Sequence, residues 1–161
     1  MIFLRKMKAI KNSLILLLLI SMASFSYGNS VSKTNITEGY SLTVKVDKLR
    51  NSKGVVQFSL YNKDGTIPDK KYTQYFRQLT GKIRNGSAVV TFAKLPIGRY
   101  AVNILHDENQ NKKIDKGFML PIEGVGFSNY QSIGLGNRPK FSKASFKFKT
   151  NTTKTVKVIY F

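Results

Sequence analysis

Phe92–Asp115, FAKLPIGRYAVNILHDENQNKKID, is the stretch whose reading decides the fold. It opens on Leu95-Pro96-Ile97-Gly98, a turn in which proline presets φ and glycine relaxes the backbone. Tyr100, Val102 and Ile104 then alternate with Ala101, Asn103 and Leu105, which predicts a β-strand. The strand runs straight into His106-Asp107-Glu108-Asn109-Gln110-Asn111-Lys112-Lys113-Ile114-Asp115. There, oxygen-bearing side chains recur at Asp107, Asn109, Asn111 and Asp115. A chain curling around a hard cation presents oxygens at alternating positions in this way.

Outward from that stretch, the same period of two recurs. Leu42, Val44 and Val46 alternate with polar residues within Tyr40–Leu49, and Val56, Phe58 and Leu60 do so within Val55–Tyr61. Asn85-Gly86 is a favoured two-residue hairpin turn, flanked by Lys82–Arg84 and by Ser87–Phe92, with Ala88, Val90 and Phe92 facing the core. Strands are also predicted over Lys143–Lys149 and Lys154–Phe161. Tyr72, Tyr75, Phe76 and Leu79 fit a helical stripe, which predicts at most one short helix, within Lys70–Thr80. The sum is an all-β chain: a single antiparallel β-sandwich of about seven strands, immunoglobulin-like or transthyretin-like. An outer-membrane barrel is excluded by strand length, since spanning strands need roughly 9–11 residues.

The N-terminus has a different character. Arg5, Lys6, Lys8 and Lys11 precede the apolar run Ser13–Phe25, and small residues follow at Ser26 and Gly28. Basic head, short apolar middle and small-residue exit predict a signal peptide over residues 1–28, a polar leader over 29–39 and the sandwich domain over 40–161. The expected product is exported, periplasmic or secreted, with no transmembrane segment after cleavage. The chain has no cysteine, so the fold rests on its core and not on disulfides, and no lipid can be attached to an N-terminal cysteine.

Four of the 27 basic residues and none of the eight acids lie in the signal, which leaves a charge of +15 beyond it. That charge suits anionic envelope components, lipid or polysaccharide, and export disfavours nucleic acid. The lysines are scattered along many strands and not clustered, which favours instead a soluble domain with lysine-rich solvent faces. Half of the acids, Asp107, Glu108, Asp115 and Glu123, fall within one stretch of 17 residues. Counted as a calcium loop, the ligands are Asp107, Asn109, Asn111, the Lys113 carbonyl and Asp115, with Glu123 as a supplement from the next segment. Lys112 stands where glycine eases such a loop, and Phe118 where a bidentate glutamate closes it. Two formal charges then predict weak calcium binding, with a dissociation constant of roughly 10⁻⁴ to 10⁻³ M. The competing reading is an Asn/Asp-rich turn whose side chains bond their own backbone.

His106 is the only histidine, and Ser128 follows in a glycine-rich segment, Gly117–Lys140. A hydrolase using His106 is the weakest of three function classes, because Ser128 lacks a nucleophile-elbow context. The leading class is a non-enzymatic exported binding or structural module, and the second is a basic envelope-associated protein. Gly124-Val125-Gly126 has no βαβ surroundings for a nucleotide. Its glycines are expected to approach the preceding loop, with Phe127 and Tyr130 forming an aromatic contact surface beside the cation loop.

Four motifs occur in order: Leu49-Arg50-Asn51-x-x-Gly54, Phe92-x-x-Leu95-Pro96-x-Gly98-x-Tyr100-Ala101-Val102, His106-Asp107-Glu108-Asn109-x-Asn111 and Glu123-Gly124-x-Gly126-Phe127-Ser128-Asn129. Together they resemble the bacterial domain-of-unknown-function 2141 family over roughly Tyr40 to Phe161. The resemblance implies an exported bacterial β-sandwich and carries no established activity. The family usually shows glycines where this chain has Gln110 and Lys112.

Overall fold

A computed structural model describes residues 39–118 and 120–161; the expected signal and all but the last residue of the leader lie outside the described residues. The strands in chain order are β1 (Tyr40–Val46), β2 (Val55–Tyr61), β3 (Arg77–Gly81), β4 (Ala88–Leu95) and β5 (Gly98–Asp107). Then come β6 (Gly124–Phe127), a one-turn helix α1 (Phe141–Ala144), β7 (Phe146–Phe148) and β8 (Thr152–Thr155). All of them fall within one compact unit, Thr37–Phe161.

Two sheets form. One has the order β4-β1-β8 and the other β3-β2-β5-β6, with β7 also pairing β5. β5 is long enough to hold two partners on one side. Its first half pairs β7 through Gly98–Tyr100, and its second half pairs β6 through Asn103–His106. The expected antiparallel sandwich is present with one exception, since β1 and β8 run parallel.

Asn85 and Gly86 both have positive φ, 49° and 68°, as a tight two-residue turn demands. The turn closes a single bridge, Arg84 to Ser87, before its arms part. β3 joins β2 in one sheet and β4 joins β1 in the other. A turn that reads as a hairpin is therefore where the chain changes sheets.

The predicted alternation places the main core between the sheets. Leu42, Val44, Phe58, Leu60, Val102 and Ile104 are all fully buried there, each contributing about 1.5–3 kcal/mol by leaving water. The large sheet is also buried on its other face, where Tyr61, Ala101, Phe127, Tyr130, Phe141 and Ala144 make a second cluster. That is why β5 shows no exposed side after Arg99.

Three expectations are corrected. No helix forms in Lys70–Thr80. Tyr72 takes a positive φ of 51°, the Asp69 carboxylate accepts from the Gln74 N–H at 2.7 Å, and Arg77–Gly81 pairs with β2. Local capping by Asp69 and an edge to pair with outweigh the stripe. The predicted strand Lys143–Lys149 is split, because Phe141 and Ala144 turn into the second cluster as α1 before β7 begins. The last predicted strand is also divided. β8 ends at Thr155, and the chain then crosses to the other sheet, where Ile159 bridges Val125. Val156 and Val158 are buried in the crossing and seal one end of the main core.

Candidate functional site

The Asp107–Asp115 loop begins where β5 leaves the sheet, so Asp107 is held by strand pairing and is fully buried. Its Oδ1 accepts the N–H of Asn111 at 3.0 Å, and its Oδ2 accepts that of Lys112 at 2.9 Å. Asn109 Oδ1 also accepts from Asn111 N, at 3.1 Å, and Asn111 Oδ1 accepts from Lys113 N at 2.8 Å. Gln110 and Lys112 both adopt left-handed φ, 61° and 62°. These are the places where the resembled family shows glycine, so the loop takes its wrap without the residues that ease it.

Asp115 closes the loop. Asn109 Nδ2 donates to it at 2.6 Å and Asn111 Nδ2 at 3.0 and 3.1 Å. Glu123, buried and 8 residues beyond the end of the loop, reaches back to accept from Glu108 N at 2.9 Å and Asp115 N at 3.1 Å. One carboxylate thus clamps both ends of the loop. Burial raises the Glu123 pKa, and the Asp115 and Asp107 charges add to the rise. The two backbone N–H bonds oppose it.

Glu108 turns the other way. Arg50 Nε donates to it at 2.7 Å and Asn51 Nδ2 at 3.1 Å, while Arg50 also donates to the Ile122 carbonyl at 2.8 Å. Burial pushes the Glu108 carboxyl upward. The Asn51 amide and the Arg50 guanidinium outweigh that push and hold its pKa below the usual value. Arg50 and Asn51 were not among the predicted site residues. Their signal was the motif Leu49-Arg50-Asn51-x-x-Gly54, which the fold lays against His106-Asp107-Glu108. Gly54 has φ +66°, and a Cβ there would collide with the Asp107 carbonyl.

His106 is fully buried. Its Nε2 lies 3.0 Å from the Lys53 carbonyl, which can only accept, so Nε2 carries the proton. Nδ1 shares a hydrogen bond with the Tyr160 hydroxyl at 2.7 Å. Ser128 is also buried, with its Oγ accepting from Val102 N at 2.9 Å and donating to the Ala144 carbonyl at 2.7 Å. The fold commits the two residues to separate partners.

Phe127 and Tyr130 do not form a contact surface; both are buried in the second cluster beneath Phe141. The glycines of β6 do not face the preceding loop. Gly124 lies under Tyr160 and Val158, and Gly126 under the Lys157 backbone, so they make room for the C-terminal crossing. Phe118, the twelfth loop position, is fully exposed.

Among the described residues, no three His, Cys, Asp or Glu side chains converge as a metal cluster. The side-chain oxygens that gather in the loop come from two acids, Asp107 and Asp115, and two amides, Asn109 and Asn111. The side-chain oxygens of Asp107, Asn109 and Asn111 accept N–H groups of the loop itself, the bonding of an Asn/Asp-rich turn, and the Asn109 and Asn111 amides donate to Asp115. Asp107, Asn109, Asn111 and Asp115 are the side chains that could hold a cation here.

A family model described as an uncharacterized protein conserved in bacteria (DUF2141) matches residues 44–156. No curated protein and no solved structure matches the chain.

Proposed function

The chain belongs to this uncharacterised bacterial family, DUF2141, and from that premise we propose that it is an exported, non-enzymatic binding or structural module whose Asp107–Asp115 loop takes calcium weakly. The observation that carries the reading is the conformation of the loop. Asp107, Asn109 and Asn111 accept the N–H groups of Asn111, Lys112 and Lys113, with left-handed residues between them. Asp107, Asn109, Asn111, the Lys113 carbonyl and Asp115 would hold the ion, and Glu123 supports them by fixing both ends of the loop. A divalent cation would take over the Asp115 carboxylate from the two amide groups. It would also relieve the mutual repulsion of Asp107, Asp115 and Glu123, so binding would tighten the loop. Export rests on the basic, apolar and small-residue succession of residues 1–28. The non-enzymatic reading rests on His106 and Ser128, whose polar atoms are spent on structural partners.

The test is thermal melting of the piece from Thr37 to Phe161 with calcium, magnesium or chelator. At millimolar calcium and a dissociation constant near 10⁻⁴ M, stability rises by about 1.4 kcal/mol, a shift of several degrees. Magnesium does less, because it keeps its waters and demands stricter geometry. Asp107→Ala abolishes the shift, while Asp47→Ala, outside the loop, leaves it intact. Three coincident curves would reduce the loop to a turn.

A further inference from the structure

Beside the loop lies a groove of about 260 Å³ whose lining is almost wholly apolar, with Ile114, Leu120, Val125, Ile133, Leu135 and Phe161 in its wall. Two turns raise its rims. Gly117 N bonds the Leu120 carbonyl at 2.9 Å, which leaves Phe118 at the turn fully exposed. Asn137 N bonds the Gly134 carbonyl at 3.1 Å, which leaves Leu135 80% exposed. Leu120 and Phe161 are exposed as well, so with Leu135 three of the ten large exposed apolar side chains among the described residues line this groove, and Phe118 stands on the turn next to it. Scattered apolar residues need no explanation, but a concentration of this kind marks an interaction surface.

The charge around the groove identifies the occupant. Ile114 is shared with a neighbouring depression lined by Lys70, Lys71, Lys113 and Lys116. Exposed Arg138 and Lys140 flank Pro139 on the opposite wall. Asp115 is the one half-exposed acid nearby, and its carboxylate is taken up by Asn109 and Asn111. A second copy of the chain docked here about a twofold axis would bring these cations against their own images. A soluble polysaccharide would satisfy the lysines and leave Phe118 and Leu135 in water. A bilayer bearing anionic headgroups satisfies both, taking the apolar tips into its acyl boundary while the lysines remain among the phosphates.

We infer that this face, with Phe118 and Leu135 at its tips and the lysines around it, docks on an anionic lipid bilayer. The docking is independent of calcium, so it is measured in chelator and stands or falls apart from the loop.

The chain contains no tryptophan, so Phe118→Trp is a unique reporter. In the piece from Thr37 to Phe161, vesicles of phosphatidylglycerol and phosphatidylcholine shift its emission to the blue, and phosphatidylcholine alone does not. Val89→Trp replaces an exposed apolar residue of β4, beside Lys45, Lys82 and Arg84, and its emission stays unchanged. Phe118→Ser with Leu135→Ser lowers vesicle co-sedimentation at least tenfold without moving the melting temperature. Reversal of Lys113 and Lys116 to glutamate lowers it at low salt. The proposal is overturned by an unshifted Phe118→Trp, by equal shifts at positions 118 and 89, or by undiminished sedimentation of the double serine variant. A lipid-free dimer abolished by the serine variant would assign the face to a second copy and overturn it too.

Discussion

Tyr160 Oη lies 2.7 Å from His106 Nδ1, joining the end of the chain to the strand that carries the candidate loop. The same hydroxyl accepts from Arg50 N at 3.3 Å, and the Arg50 guanidinium lies over the Tyr160 ring, 4.8 Å from its centroid. One phenol thus ties together the C-terminal crossing, the turn after β1 and the end of β5. Tyr160→Phe removes the hydroxyl partner of a buried ring nitrogen and lowers stability by about 1–2 kcal/mol. His106→Ala also opens a cavity and strands the Lys53 carbonyl, costing about 3 kcal/mol. Denaturant unfolding measures both, and equal midpoints for wild type and Tyr160→Phe would contradict the arrangement.

Ser128 supports α1. With Ser128→Ala, the buried Val102 N–H and the Ala144 carbonyl each lose a partner, and the expected cost is about 2–3 kcal/mol. Hydrogen exchange at Val102 should quicken beyond the change at Leu60, which lies on the same sheet without that bond.

Gly126 and Gly134 separate packing from backbone effects. A Cβ on Gly126 would sit 2.5 Å from the Lys157 carbonyl oxygen, whereas one on Gly134 meets nothing within 4 Å. Neither has a φ that disfavours a side chain. Gly126→Ala therefore costs about 1–3 kcal/mol by pushing the crossing off the sheet, and Gly134→Ala is neutral or stabilising by a few tenths. Melting temperatures of the pair decide it.

Glu108 and Glu123 act on stability in opposite directions with pH. The folded-state pKa of Glu108 is depressed, so its contribution is present above the ordinary value of 4.5 and is lost as pH falls through the folded value. The folded-state pKa of Glu123 is raised, so the folded protein holds that proton longer than the unfolded chain, and stability falls as pH rises from 4.5 through the folded value. Glu108→Gln should flatten the acid side of the stability profile, and Glu123→Gln the decline above pH 4.5. Unfolding midpoints from about pH 3 to pH 7 read these slopes. Calcium should diminish the Glu123 slope, since a cation offsets the neighbouring charges.

The sequence by itself determined the parts that local periodicity controls. Alternation of Leu42, Val44 and Val46, of Val56, Phe58 and Leu60, and of Tyr100, Val102 and Ile104 marked the inward faces that make the main core. A pleated strand points successive side chains to opposite sides whatever its partners are. Asn85-Gly86 marked a turn because both residues tolerate positive φ. The Asp107–Asp115 loop was legible too, since the contacts that shape it run between residues two to six apart. Only the tertiary structure decided what lies across large separations. Alternation cannot say that β5 is covered on both faces, that the arms of the Asn85-Gly86 turn enter different sheets, or that Phe127 and Tyr130 are buried under α1. Nor can it place Glu123 as a clamp on Glu108 and Asp115, Arg50 on Glu108, or Tyr160 on His106. Those pairs join residues that only the assembled sheets bring side by side, and the free energy of their burial belongs to the assembled sheets and not to any one stretch of chain.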